Sequence, residues 1–161
     1  MEERGVSEWT TKLNKLSLKE FPALFASAAI YNMQGTYRAT FVGPGWLRAT
    51  AGPTIAIGGL GNWWGKHLKE DGTATNLVRH GDKLESRLSM QLISTTSVLD
   101  GKPALALIYS AENPFPWPYV VDELRALDLV TLLGMMHVNA GPLRKLAFPF
   151  LLEYQEQVDG L

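Results

Sequence analysis

Two hydrophobic periods divide the chain. Through the first thirty or so residues the apolar positions recur at helical spacing: Leu18, Phe21, Leu24, Phe25 and Ala28 share a face, and Ser17-Leu18-Lys19-Glu20 has the form of a capping box. Pro22 would fall just past the first turn of a helix capped at Ser17, where its ring and missing N–H begin to cost, so a later start is expected. From Gly35 the period becomes two. Tyr37, Ala39 and Phe41 alternate with Thr36, Arg38 and Thr40, the pattern of a strand with one buried face. Turn signals then recur at short intervals, among them Asp71-Gly72, Gly81-Asp82 and Asp100-Gly101. Asp-Gly between strand-like runs marks a hairpin, because both residues tolerate positive φ.

This pattern predicts strands over 62–69, 74–79, 84–98 and 103–110. Beyond the proline-rich connector ENPFPWPYV it predicts three more, over 119–126, 129–138 and 148–156. The run 84–98 is long for a strand, which predicts a bulge or bend within it. In the last run Phe148, Phe150, Leu152 and Tyr154 line one face, and NAGPLRKLA before it suits a turn or a single helical turn. One or two N-terminal helices followed by about eight or nine antiparallel strands fit a closed barrel better than a sandwich, since up-and-down closure leaves no unpaired edge. The expectation is a mainly β, single-domain chain over 1–161, in which 1–32 is a helical segment and 33–161 an antiparallel up-and-down β-barrel. A barrel of that strand number has room inside for packed side chains or one small ligand.

Two stretches carry a family resemblance. MQGTYRA (Met33 to Ala39), followed some twenty residues on by NWWGK (Asn62 to Lys66), resembles the paired signature of the GXWXG family, with Tyr37 and Ala39 where that family has Trp and Gly. ALIYSAENP, DELRALDLVTLLGMM and FPFLLEY are similar to the domain of unknown function that accompanies it. The resemblance implies a calycin-like, lipocalin-style barrel and says little about chemistry.

Composition narrows the function. Lys plus Arg number 15 against 16 for Asp plus Glu, so there is no basic excess to neutralise a nucleic-acid backbone. With no cysteine there is no thiol nucleophile, disulfide or thiolate metal site, and His67, His80 and His137 lack the close spacing of metal ligands. Neither a metal nor a cofactor is expected. The charged N-terminus, MEERGVSEWTTKLNKL, does not read as a signal peptide, and no run reaches the roughly 20 apolar residues of a membrane span, so a cytoplasmic protein is expected. Exposed apolar residues in that N-terminal segment, Trp9 and Leu13 among them, suggest a homodimer.

The candidate site begins at IAIGGLGNWWGKHL, residues 55–68. It is not a phosphate loop, because the residue five before Gly65 is Leu60 and the one after Lys66 is His67; nor does Gly59-Leu60-Gly61 continue into a dinucleotide fingerprint. Read as a regular strand, 62–68 puts Trp63, Gly65 and His67 on one face and Asn62, Trp64, Lys66 and Leu68 on the other. The first face makes Trp63 a ligand wall and His67 a candidate acid or base, against the plainer reading of a rim histidine. Asp122 is the second catalytic candidate: pointing inward it is a costly buried carboxylate, pointing outward only surface charge.

Tyr37, Phe41, Tyr109, Trp117 and Tyr119, with Met90, Met135 and Met136, are flat or flexible apolar groups at plausible inward positions, suited to a greasy and irregular ligand. No Gly-x-Ser-x-Gly motif or Ser, His and Asp grouping marks a nucleophile. Three functions fit. The first is binding of a hydrophobic small molecule, such as a polyketide, terpenoid or fatty-acid-like compound. The second is a cofactor-free cyclase, cycloaddition catalyst or isomerase using the same cavity, and the third is a structural or protein-interaction module.

Overall fold

The computed structural model describes residues 7–160; residues 1–6 of the N-terminal stretch lie outside the described residues. Eight strands run in chain order: β1 (Gly35–Phe41), β2 (Trp63–Leu68), β3 (Thr73–His80), β4 (Lys83–Thr96), β5 (Pro103–Tyr109), β6 (Val120–Asp128), β7 (Thr131–Val138) and β8 (Phe148–Gln155). Each pairs antiparallel with the next, and β8 pairs back onto β1, so the sheet closes as an up-and-down barrel without an open edge. The alternation read in β1 and β8 holds: Tyr37, Ala39 and Phe41 face Tyr154, Leu152 and Phe150 across the closing seam.

The helices α1 (Glu8–Leu13) and α2 (Phe21–Ser27) lie outside the barrel. The capping box closes a short 3₁₀ turn, Leu18–Glu20, in which the Glu20 carboxylate accepts from the Ser17 N–H at 3.1 Å. Helix α2 starts only afterwards, so Pro22 sits in its first turn, where no intrahelical N–H is needed. Leu13, Phe21 and Phe25 are fully buried against Leu133, Met135 and Leu151 of the outer wall, each such side chain contributing about 1.5–3 kcal/mol of burial. This packing corrects two readings. Leu13 is not exposed, and Trp9 is partly buried and donates its indole N–H to Asp128 at 2.8 Å, so both are used within the chain. Met135, expected inside, faces outward into this second core.

Two irregularities set the barrel's inner face. In β4 the register slips opposite Ala74 and Asn76, with Leu88 at φ 58°, which is the bulge its length predicts. In β2 the register shifts between Trp63 and Gly65. This bulge overturns the simple alternation: Trp63 points inward together with Lys66 and Leu68, while His67 turns outward. Gly65 permits the close strand approach there, since a Cβ would overlap the Tyr37 carbonyl oxygen.

A third helix, α3 (Gly45–Ile57), lies between β1 and β2 and is absent from the sequence expectation. Among the described residues no helix is long and apolar enough to cross a membrane.

Candidate functional site

Helix α3 covers one end of the barrel. Leu47, Thr50, Ala51, Thr54 and Ile55 fall at i, i+3, i+4, i+7 and i+8 and form the roof of a cavity of about 240 Å³. The roof is anchored at both ends. Arg48 Nε donates to the Gly43 carbonyl at 2.9 Å, and the Trp117 indole N–H donates to the Gly58 carbonyl at 2.6 Å. A Cβ at Gly58 would run into that indole, so the glycine makes the second latch possible.

Phe41, Trp63, Phe150 and Met136 supply the apolar walls below. Trp63 lies 5.4 Å from Phe41 and 5.7 Å from Phe150 between ring centroids, and the Phe150 ring occupies space that any side chain at position 134 would fill, which is why Gly134 stands there.

The floor is a polar bridge. Lys66 on β2 and Asp122 on β6 stand on opposite walls, four strands apart in an eight-strand ring, and the ammonium spans the barrel to reach the carboxylate at 2.9 Å. Both side chains are about 97–98 % buried, at 2 and 3 % exposure. Lys66 Nζ also donates to Asn76 Oδ1 at 2.7 Å and to the Tyr109 hydroxyl at 3.2 Å, and it lies within 6 Å of the Trp63, Tyr109 and Phe150 rings. Burial works against the ammonium, but the Asp122 charge and the Tyr109 contact outweigh it and hold the amine above its ordinary value. Lys66 is therefore a cation, not an amine nucleophile. For the Tyr109 phenol burial acts in the opposite direction and, against the pull of the Lys66 ammonium, pushes it up.

Of the residues singled out in the sequence, the structure brings together Phe41, Trp63, Tyr109, Trp117 and Asp122, with Met136, at this cavity. Tyr37 and Met90 are buried in the barrel but line its packed interior instead. Tyr119 does not line the cavity: it is 52 % exposed and stacks edge-on with Phe115. His67 is on the outer wall, 2.8 Å from Thr36 Oγ1, where partial burial and nearby Lys69 lower its pKa. The bulge at Trp63/Gly65 is what separates it from the cavity.

Lys66 and Asn76 were missed, because regular alternation put Lys66 outside and a lone asparagine in a strand carries no motif. Helix α3 was missed although its 47, 50, 51, 54, 55 spacing is present, because Gly52, Pro53 and four threonine or isoleucine positions weaken the helical signal. Among the described residues no three His, Cys, Asp or Glu side chains are placed to hold a metal ion.

No protein-family model matches the chain, and no curated protein matches it. It is similar to a crystal structure of a protein from Thermomonospora curvata, with a TM-score of 0.68 and 19 % identity over 91 % of this chain and 93 % of that one. At that identity the likeness is one of fold. The closed eight-strand barrel is calycin-like, an architecture compatible with holding a small molecule.

Proposed function

We propose that the chain binds a hydrophobic small molecule, of polyketide, terpenoid or similar apolar character, beneath α3. The observation that carries this reading is the cavity itself: aromatic and aliphatic walls under a helical roof, with Lys66 and Asp122 its only charged lining among the described residues. A helix whose inner face covers a cavity in place of packed core has few contacts to hold it down, which suits a roof that must open for a ligand. The GXWXG kinship belongs to the same proposal. It is supported by the position of its two motifs, side by side on β1 and β2 with Tyr37 opposite Lys66.

Titration with a neutral apolar fluorophore, N-phenylnaphthylamine, tests the reading. A saturable site weakened by Trp63→Ala is expected, and an intact protein with no saturable site removes it.

One observation favours the enzymatic variant. Tyr109 and Asp122 reach the same cavity, so a bound carbonyl compound would meet a hydrogen-bond donor and a base, enough for a cofactor-free cyclisation or isomerisation driven by orientation. Here Asp122→Asn retains ligand but loses turnover. His67, outside the cavity, has no part in the proposal.

A further inference from the structure

Hydrogen-bond donation through the polar bridge runs in one direction. Lys66 Nζ and Trp63 Nε1 can only donate, and both reach Asn76 Oδ1, at 2.7 and 3.1 Å. This fixes the amide: its oxygen faces them, and Nδ2 donates to the Tyr109 hydroxyl oxygen at 3.0 Å. Lys66 donates to that same oxygen at 3.2 Å, so both of its acceptor positions are filled. The phenolic proton must then point elsewhere, and among the described residues nothing accepts it.

Asp122 is the complementary case. Its Oδ2 takes the Lys66 ammonium at 2.9 Å, while Oδ1 accepts from no described residue, and Asp122 lines the cavity. The floor thus offers one unused donor and one unused acceptor, flanking a single ammonium whose three hydrogens are taken up by Asn76, Tyr109 and Asp122, with Met90 Sδ a fourth neighbour at 3.7 Å. The two charges cancel. A carboxylate ligand would bring a second anion beside Asp122 and find no free hydrogen on Lys66.

We infer that the ligand is a neutral molecule whose polar end is a hydroxyl or enol, accepting a hydrogen bond from Tyr109 and donating one to Asp122, on an apolar body that fills the space under α3. A fatty-acid carboxylate is the wrong partner. The inference rests on the cavity reading above and sharpens it to a ligand class.

The test is displacement of N-phenylnaphthylamine by octanol and by octanoate from the wild type, Tyr109→Phe and Asp122→Asn, at neutral pH. Octanol is expected to displace the dye from the wild type at lower concentration than octanoate. Tyr109→Phe should lower the affinity for octanol relative to the dye by about fivefold, the worth of one hydrogen bond. In Asp122→Asn the Lys66 charge is unmatched, so octanoate should gain on octanol by about tenfold or more. Octanoate competing as well as octanol in the wild type, or an octanol-to-dye ratio unmoved by Tyr109→Phe, overturns the inference while leaving the cavity reading intact. Absence of saturable dye binding overturns both. Should Asp122→Asn fail to fold, Tyr109→Phe, which keeps the ring, decides the matter.

Discussion

Lys66 and Arg125 are both cations with almost no exposed surface, one inside the barrel wall and one outside it. Arg125 donates to both oxygens of Asp100 and to the carbonyls of Phe25, Lys102 and Pro103, and its guanidinium lies 4.2 Å from the centre of the Phe25 ring. Every nitrogen is used within the chain. The result is a clamp that ties α2 and the turn after β4 to β6. Lys66 makes as good a set of bonds, but the chain of donors that starts from it ends at Tyr109 and Asp122 on a cavity. Burial of a charge therefore does not mark a site here. What marks one is a hydrogen-bond network that reaches open space with valences left over.

The largest expected effect breaks the outer member of this pair. Arg125→Met strands the Asp100 carboxylate and three carbonyls, and should lower the unfolding free energy by about 3–5 kcal/mol in urea titrations. Dye binding by the folded protein should be unchanged, since Arg125 is on the far side of the wall. If instead binding falls in step with stability, the two regions are not separable.

Acid provides a milder version of the same break. Hydrogen bonds from Arg125 hold the Asp100 carboxyl below its ordinary value of 3.8, at about 2. A depressed carboxyl stabilises the fold fully above 3.8, and that contribution is lost as the pH falls through 2. In Arg125→Met this segment of the pH-stability profile should flatten, which urea midpoints across the interval would show.

The inner pair should respond differently to removal of one partner and of both. Asp122→Leu alone leaves the Lys66 ammonium buried and unpaired, at a cost of about 3–5 kcal/mol. Adding Lys66→Met should restore the wild-type stability or exceed it by about 1–4 kcal/mol, because two apolar groups then fill the barrel without a desolvation penalty. Yet that double variant should lose all discrimination between octanol and octanoate beyond their hydrophobicity. Recovery of stability without recovery of discrimination separates what the pair does for function from what it does for the fold. A double variant that stays as unstable as Asp122→Leu would make the bridge structural, like Arg125.

Much of this architecture was legible in the residues, and the failures share one cause. Strand-like runs between turn signals marked all eight strands, and β1 and β8 were assigned the correct inner faces because nothing interrupts their alternation. In β2 a single extra residue between Trp63 and Gly65 reverses the faces that follow, so His67 was placed at the cavity and Lys66 outside when the fold has them the other way round. A bulge of that kind leaves little trace in hydropathy, because lysine is a surface residue by default and becomes interior only through a partner more than fifty positions away. Helix α3 escaped for a related reason. Its inner face meets a cavity and not packed core, so threonine and alanine serve where a core-facing helix would show leucine. Asp122 could be assigned a face only by the closed barrel.

The smallest expected effect concerns the roof that distinguishes the inner region from the outer. Helix α3 buries Leu47 but leaves Trp46 and Ile57 largely exposed, and its C-terminal end is tied down by the Trp117 N–H on the Gly58 carbonyl. Trp117→Phe keeps an aromatic ring against Tyr109, from which the indole lies 5.0 Å, and removes that donor together with part of the buried indole. The lost hydrogen bond itself should cost about 1 kcal/mol, falling on the closed roof more than on the barrel. Hydrogen exchange of the α3 amides should speed up by roughly fivefold while that of β6 and β7 stays unchanged, and stopped-flow release of N-phenylnaphthylamine should quicken by a similar factor. Faster exchange with an unaltered release rate would mean that ligand leaves by a route other than under the helix. In that case the α3 end is a fixed cover, and the inner region opens elsewhere along the barrel rim.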